Sequence, residues 1–343
     1  MKRSLILVTL ALLLSSAFAI RLLPQPSSDY IEAPKYLNQN QCQNLVQSSS
    51  SFSVCNPSLI HVAMTLDSKY LRGSIAAVHS ILKHASCPEN IYFHFITSTS
   101  TSSDLNDVVK SIFPNLYFHI YPFEIESKVK ALISYSVRPA LEEPLNYARI
   151  YLAEILNPCI HRVVYIDSDT IVVDDIVNLF SITLTGSRVI GAPEYCHVNF
   201  RNYFNDGFWA DPVLSSVFEG KDPCYFNTGV MVMDLTRWRR GDYTTRIEKW
   251  MEIQKERRIY ELGSLPPFML VFGGEIEGID HSWNQHGLGG DNLVNSCRSL
   301  HPGRVSLLHW SGKGKPWVRL DEGRPCPVDH LWAPYDLHRI QRL

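Results

Sequence analysis

The sequence predicts an α/β protein in which helices cover both faces of a mostly parallel central sheet. Segments rich in apolar residues, typical of buried strands, alternate with segments whose apolar residues recur at helical spacing. Two of the expected strands end at a carboxylate, Asp67 and Asp167, and open α/β sheets bind ligands at the carboxyl ends of their strands. The 343 residues, 45% hydrophobic and 19% charged, suffice for one large domain.

The expected elements follow one another in a regular order. Strands are expected at residues 59–66, 91–96, 116–121 and 162–166. Helices are expected at residues 73–85, 104–113, 144–155 and 243–258. Ser103 or Asp104 is the expected cap of the second helix, and Pro144 is expected to begin the third. Segment 225–235 predicts a buried strand that is entered through a polar turn.

The N-terminus has the pattern of a secretory signal peptide. Basic residues precede a leucine-rich run, and Ala17-Phe18-Ala19 offers the small residues that signal peptidase accepts, so residues 1–19 are expected to be removed. An uncleaved signal anchor is the alternative, although the apolar run is short for a membrane span.

Residues 20–58 are polar and predict a stem or loosely packed arm. One large domain is expected over 59–335, followed by a tail over 336–343.

Cysteine content and charge narrow the class of protein. The eight cysteines are an even number, none forms a Cys-x-x-Cys pair, and the secretory pathway favours disulfides over structural zinc. The sequence leaves their connectivity open, with Cys42 and Cys55 as the first pair to test.

A net charge of -2 argues against a nucleic-acid binder. No Asn-x-Ser/Thr site for N-glycosylation occurs.

Two distant segments together suggest a site for a metal and a diphosphate. Asp167 and Asp169 lie one residue apart after a strand, and extended residues i and i+2 point the same way, so both carboxylates can reach one cation. Alone, this pattern also fits a solvated turn. Segment 309–317 adds His309, Gly312 and Lys315 in one glycine-rich loop. Two carboxylates and an imidazole suit Mn2+, and a lysine beside glycine backbone suits phosphate oxygens.

The order of these segments resembles family 8 of the retaining glycosyltransferases over residues of about 60 to 321. Within that family the chain is most similar to the plant galacturonosyltransferase-like proteins. The secretory N-terminus and segments 138–142, 283–292 and 309–317 carry this closer resemblance.

The resemblance implies a GT-A fold that uses Mn2+ and a UDP-sugar donor. It assigns the metal to Asp167, Asp169 and His309. It implies that Asp67 and Tyr70 bind the uridine and that Arg149 faces the nucleotide and the metal-binding loop. Gly312 and Lys315 would bind the diphosphate. It also implies retention of configuration through same-face attack, without a protein nucleophile.

One departure concerns the reacting face of the donor sugar. Members such as the bacterial galactosyltransferases carry an Asp-Gln pair there, whereas segment 263–267 of this chain, Gly-Ser-Leu-Pro-Pro, offers neither group. Asp291 and Asn292 are the candidates for this role. Asn227 is a third catalytic candidate, and its alternative is to terminate a strand.

The expected function is transfer of galacturonic acid from UDP-galacturonate to a cell-wall polysaccharide, in pectin biosynthesis in the Golgi lumen. Partners implied by the resemblance are the polysaccharide acceptor and other Golgi glycosyltransferases. A uronate donor needs a cation, for which Arg138, Arg149, Arg201 and Lys313 are candidates. Two alternatives stay open: a catalytically weak UDP-binding scaffold, and a hydrolase that uses the two aspartates, whose spacing is too close for a glycosidase pair.

Overall fold

The computed structural model describes residues 29–42 and 53–339. The strands are β1 Ile60–Thr65, β2 Ile91–Thr97, β3 Tyr117–Pro122, β4 Arg162–Ile166, β5 Thr170–Val172, β6 Ile190–Tyr195, β7 Tyr225–Phe226, β8 Val230–Asp234, β9 Glu277–Ile279 and β10 Leu307–His309. Within the described residues, eight of them form one sheet in the order β3-β2-β1-β4-β8-β6-β7, with β9 beside β6, and β5 pairs with β10. The predicted signal peptide, residues 1–19, lies outside the described part.

Strand β4 lies where the sheet changes direction. β1, β2, β3 and β4 run parallel, whereas β8 pairs antiparallel with β4 and with β6. The sequence of β4 explains this central place, because four of its five residues are buried, as expected for a strand covered on both faces. The loop that follows β4 therefore starts at the middle of one sheet edge.

Helices cover both faces, as the sequence predicted. The α-helices are Leu71–His84, Ser102–Ile112, Glu126–Leu132, Leu152–Ile155, Ile176–Phe180, Asp206–Ala210, Pro212–Ser215, Leu235–Arg240, Tyr243–Arg257, Leu265–Phe272 and Pro316–Asp321. The 3-10 helices are Pro88–Asn90, Pro139–Leu141, Pro144–Tyr151, Phe200–Tyr203, Ser216–Phe218, His281–Trp283, Pro327–Leu331 and Ala333–Tyr335. Alternate residues of β4 point to two separate cores: Val163 packs with Ile247 on one side, and Val164 packs with Ile75 on the other.

Two local predictions differ from the structure. The second helix begins at Ser102 with Thr101 as its N-cap, so neither Ser103 nor Asp104 caps it. Thr101 takes this position because its carbonyl accepts the first helical hydrogen bond, from Leu105 N at 3.1 Å.

The third expected helix is mostly of the 3-10 type, since Pro144–Tyr151 winds tightly and only Leu152–Ile155 is α-helical. Residues three apart share a face in a 3-10 helix. That winding places Arg149 next to Asn146, whose carbonyl accepts a hydrogen bond from Arg149 Nε at 3.2 Å.

Cys42 and Cys55, the first candidate pair from the sequence, do not form a disulfide with each other. The four disulfides are Cys42–Cys87, Cys55–Cys159, Cys196–Cys224 and Cys297–Cys326. Cys42 meets Cys87 because the N-terminal arm runs beside the segment that precedes β2. There Asn38 N donates to Glu89 Oε2 at 3.1 Å, and Gln39 N donates to Ser86 O at 3.1 Å.

The described part of the arm, residues 29–42, contacts both the domain and the C-terminal residues. Tyr30 and Ala33 are buried. Ile31 N donates to Leu337 O at 2.9 Å, and Ala33 N donates to Ile112 O at 2.8 Å. In the described ranges, no helix has the length and apolar character needed to cross a bilayer.

Candidate active site

A cleft of about 760 Å³ opens at the carboxyl ends of β1, β2 and β4. Thr65 and Asp67 come from the end of β1, Ser98 follows β2, and Asp167 and Asp169 follow β4. All of the sequence-predicted site residues line this cleft: Asp67, Tyr70, Arg149, Asp167, Asp169, Asn227, Asp291, Asn292, His309, Gly312 and Lys315. The expectation that strand ends would build the site agrees with this arrangement.

Asp167, Asp169 and His309 form the floor of the cleft. One donor atom from each lies within 4.8 Å of the others. His309 Nε2 is 3.1 Å from Asp169 Oδ1 and 3.8 Å from Asp167 Oδ2. The β5–β10 pair brings the histidine here, because His309 is in register with Thr170, next to Asp169. Three separate sequence positions thus converge on one point.

The imidazole of His309 is oriented by a buried amide. His309 Nδ1 lies 2.9 Å from Asn284 Oδ1, and both side chains are buried. An amide oxygen only accepts, so Nδ1 donates to it and Nε2 faces the two aspartates. Asn284 is therefore the kind of outer partner that usually fixes a ligating histidine.

Two basic residues balance the two aspartates. Arg149 Nη2 is 2.8 Å from Asp167 Oδ1 and its Nη1 donates to Thr228 O at 2.8 Å, while Lys315 Nζ is 2.5 Å from Asp169 Oδ2. Burial alone would raise the pKa of Asp169, but Lys315 and His309 outweigh it and hold that pKa well below its usual value. Asp169 is thus kept ionised, in a cluster whose two aspartates are matched by two basic side chains.

This donor set fits a divalent metal ion. Carboxylate oxygens with one imidazole nitrogen suit first-row ions that accept both kinds of ligand. The four charged side chains Asp167, Asp169, Arg149 and Lys315 cancel, so a dication and a diphosphate can enter together without leaving a large uncompensated charge.

Two glycine-rich loops meet beside the cluster. Gly314 N donates to Gly289 O at 2.7 Å, Gly289 N donates to Ser311 O at 3.1 Å, and Lys313 N donates to Asp291 O at 2.8 Å. Gly312 has a φ of 105°, and a methyl group there would overlap the carbonyl oxygen of Gly290. This close backbone contact requires glycine and makes the loop that carries Lys315 rigid.

Asp67 and Tyr70 lie at the end of β1. Asp67 Oδ1 accepts hydrogen bonds from Lys69 N at 2.7 Å and Tyr70 N at 3.1 Å, so it holds the turn before helix Leu71–His84, whose N-cap is Tyr70. Burial raises the pKa of Asp67. Lys315 Nζ lies 5.4 Å from the centre of the Tyr70 ring, a cation–π contact that connects this turn to the glycine-rich loop of Gly312 and Lys315.

The three catalytic candidates differ in how they are held. Asn227 Oδ1 accepts from Gly229 N at 2.8 Å in the turn between β7 and β8. Asp291 is exposed and accepts from Leu293 N at 2.7 Å, and such backbone hydrogen bonds lower its pKa. Asn292 lines the cleft next to it.

Several cleft residues were not recognised from the sequence. Gly229 has no room for a side chain, since a methyl group would overlap Asp167 Oδ2 and His309 Cε1. His286 lines the cleft and has an unpartnered buried Nδ1, and Arg298 lies close to it. The sequence signal available for His286 and Arg298 was their place within or beside segment 283–292, and for Gly229 it was the polar turn of segment 225–235.

Solved structures show which class of protein has this fold. A crystal structure of galactosyltransferase LgtC with donor and acceptor sugar analogues matches with a TM-score of 0.60 at 19% identity, covering 82% of this chain and 98% of that one. The apo form of mouse xyloside xylosyltransferase 1 matches with a TM-score of 0.52 at 16% identity, covering 74% and 98%. The protein therefore has the GT-A fold of nucleotide-sugar transferases.

The family follows from the sequence over most of the chain. The model of glycosyl transferase family 8 matches residues 61–321, so the chain belongs to this family and is a glycosyltransferase. "Probable galacturonosyltransferase-like 10" of Arabidopsis thaliana is 65% identical over 329 residues, 94% of this chain and 90% of that relative. "Probable galacturonosyltransferase-like 9" of the same plant is 63% identical over 319 residues, 91% and 82%.

Proposed function

We propose that this family 8 glycosyltransferase is a Mn2+-dependent, retaining enzyme that transfers galacturonic acid from UDP-galacturonate to a pectic polysaccharide. The observation that carries the proposal is the neutral cluster of Asp167, Asp169, Arg149 and Lys315 around His309 at the floor of the cleft. The names of the Arabidopsis relatives support the choice of sugar.

The chain's own side chains bind the leaving group. Asp167, Asp169 and His309 would hold the Mn2+, which supplies positive charge to the diphosphate as the bond to the sugar breaks. Lys315 and the backbone around Gly312 place further positive potential at the same oxygens before the reaction begins. Asp67 and Tyr70, at the turn after β1, hold the uridine.

The transfer step requires no protein nucleophile. The bond between the anomeric carbon and the phosphate oxygen breaks, and the acceptor hydroxyl oxygen bonds to the same face of that carbon. The hydroxyl proton goes to the departing UDP oxygen, which gains negative charge as it leaves. Asn227, Asp291 and Asn292 line the cleft where the sugar would lie, and we assign them to its orientation.

The proposed setting is the Golgi lumen, where pectin acceptors and partner transferases are made. Four disulfides in the described residues are compatible with folding in the secretory pathway. The signal peptide predicted at residues 1–19 would direct the chain there.

The test is UDP release by the secreted chain, residues 20–343, with Mn2+ and with UDP-galacturonate, UDP-galactose, UDP-glucose and UDP-xylose in turn. We expect release with UDP-galacturonate in the presence of a pectic acceptor, and loss of release after chelation. Asp169→Asn keeps the shape of the side chain and its contact with Lys315, so a loss of about 100-fold or more would come from the missing charge rather than from misfolding.

UDP binding without turnover of any donor, with pectic acceptors present, would contradict the proposal and favour a UDP-binding scaffold. Turnover with a neutral sugar alone would keep the transferase but change its donor.

A further inference from the structure

Some of the basic residues that line the cleft have no carboxylate partner within the described part of the chain. Five basic residues line the cleft: Lys69, Arg138, Arg149, Arg298 and Lys315. Three of them form ion pairs within the described part of the chain, namely Lys69 with Glu143, Arg149 with Asp167 and Lys315 with Asp169. Arg138 and Arg298 form no ion pair there, and each could bind an anionic group of a ligand.

Of these two arginines, Arg138 shows more clearly that a hydrogen-bond acceptor is missing. Its Nε is buried and has no hydrogen-bond partner, although the residue as a whole is half-buried beside the cleft. A buried N–H group without an acceptor costs free energy, so native structures rarely keep one unless a ligand or water completes it. A carboxylate is the acceptor that a guanidinium binds best, through two parallel hydrogen bonds.

The segment around Arg138 is held on both sides. Val137 N and Ser136 Oγ both donate to Glu261 O at 3.1 Å, and Leu141 N donates to Arg138 O at 3.0 Å. Leu141 O lies 2.7 Å from where a methyl group at Gly263 would be, so the segment packs directly on glycine backbone. Arg138 thus belongs to a rigid segment of the cleft wall, so less conformational entropy is lost when a ligand binds.

This wall also lies within electrostatic range of the nucleotide side of the cleft. Burial raises the pKa of Tyr70 to about 12, and the charge of Asp169 adds to this increase. The charge of Arg138 opposes the increase, so Arg138 acts electrostatically on Tyr70. The neighbouring wall residues Gly263, Ser264 and Leu265 are uncharged, and the Glu143 carboxylate on the same wall is paired with Lys69 at 3.2 Å.

The other candidate cations are engaged or lie elsewhere. Arg149 is bound to Asp167, Arg201 stacks 4.1 Å from the centre of the Trp209 ring, and Lys313 donates to Leu293 O from an exposed position. Arg298 is exposed, and its charge contributes to lowering the pKa of Asp291. Among the described residues, Arg138 is the half-buried candidate that has no ion-pair partner and whose Nε has no acceptor.

We propose that Arg138 binds the carboxylate of a uronic acid in the donor and thereby selects a UDP-uronate over the corresponding UDP-hexose. This assignment rests on the proposed function and names the residue that reads the acid group. Its chemical basis is a charge-assisted pair in a partly desolvated site, which a hydroxymethyl group in place of the carboxylate cannot form.

The test is calorimetric binding of UDP, UDP-galactose and UDP-galacturonate to the secreted protein with Mn2+. We expect the unmodified protein to bind UDP-galacturonate about 10- to 100-fold more tightly than UDP-galactose. Arg138→Gln should bring this ratio close to 1 while UDP and UDP-galactose bind as before, and Arg138→Lys should keep part of the preference. Arg298→Gln, which removes an exposed cation from the same cleft, is the matched control and should keep the ratio.

The results separate this assignment from the proposed function. Three results would overturn the assignment to Arg138. They are an unchanged affinity ratio in Arg138→Gln, an equal loss of affinity for UDP itself in that variant, and no preference for UDP-galacturonate in the unmodified protein. Because binding is measured, a selective ratio that depends on Arg138 without turnover in the UDP-release assay would support the assignment and contradict the enzymatic proposal.

Discussion

At the residue scale, the arrangement of Asp167, Asp169 and His309 depends on neighbours with less distinctive sequence signals. That these three side chains lie together could be predicted, because a carboxylate pair after a strand and a histidine beside a glycine-rich lysine loop are a typical set of donors for one cation. Asn284 and Gly229 could not, because an amide 25 residues from His309 and a turn glycine have no distinctive spacing. Their roles arise from packing that the sequence does not display.

Gly229→Ala should inactivate the protein without removing a ligand. The added methyl group would overlap Asp167 Oδ2 and His309 Cε1, so both ligands must move. Because displacements near 1 Å cost about 100-fold in rate, we expect UDP release to fall by roughly that factor. Gly278→Ala is the control, since its methyl group would have only an ordinary contact, 3.4 Å from Glu194 Oε2. Equal activity of the two variants would contradict the prediction.

Asn284→Leu should weaken metal binding by about 10- to 100-fold, because outer-shell acceptors contribute that much to a ligating histidine. The leucine removes the oxygen 2.9 Å from His309 Nδ1 and frees the ring to change tautomer. Asn284→Asp keeps an acceptor at the same place and should retain most of the affinity. Calorimetric titration with Mn2+ measures both variants, and an equal loss in the two would indicate a packing defect instead.

At the element scale, regular strands were easier to predict than the segments that complete the site. The interval 162–166 agrees with β4, since an apolar run between polar residues marks a buried strand. The tight winding of Pro144–Tyr151 and the pairing of Cys297 with Cys326 depend on tertiary contacts, so local patterns do not reveal them. The same holds for the contact between the two glycine-rich loops.

The disulfide Cys297–Cys326 should support donor binding as well as stability. It closes a loop over a sequence separation of 29 residues, and that loop includes segment 309–317, to which we assign the diphosphate. Replacing both cysteines by serine should lower the free energy of unfolding by about 3 kcal/mol and raise the KM for the donor several-fold. Replacing Cys42 and Cys87, whose sequence separation is 45, should lower stability and leave KM unchanged. Denaturant titration and steady-state kinetics distinguish the two pairs.

At the scale of the whole molecule, buried histidines make the fold sensitive to acid. His61 Nδ1 lies 3.0 Å from His94 Nε2, and burial lowers the pKa of His61 to about 4. Burial, with the charge of His309 and other neighbours, lowers the pKa of His286 to about 3. Between these values and about 6.5 the unfolded chain binds more protons than the folded chain, so stability rises with pH in this window.

The unfolding free energy should therefore fall when the pH is lowered from about 6.5 toward 4. Each such histidine contributes a slope of at most about 1.4 kcal/mol per pH unit. His61→Gln removes one titrating group and should make the dependence shallower by up to that amount. His330→Gln, at an exposed position, serves as control. Denaturant titrations at pH 7 and pH 5 provide the measurement, and an unchanged slope in His61→Gln would count against this account.

The two walls of the cleft differ in which residues can be substituted without moving the backbone. Around Gly289 and Gly312 the chain contacts itself backbone to backbone, so no larger residue can be introduced without displacing the loop that carries Lys315. Across the cleft, Arg138 contributes a side chain from a segment whose backbone is held independently by Glu261 and Gly263. New sugar preferences could therefore arise by exchanging a side chain on one wall, while the machinery that activates the nucleotide stays as it is.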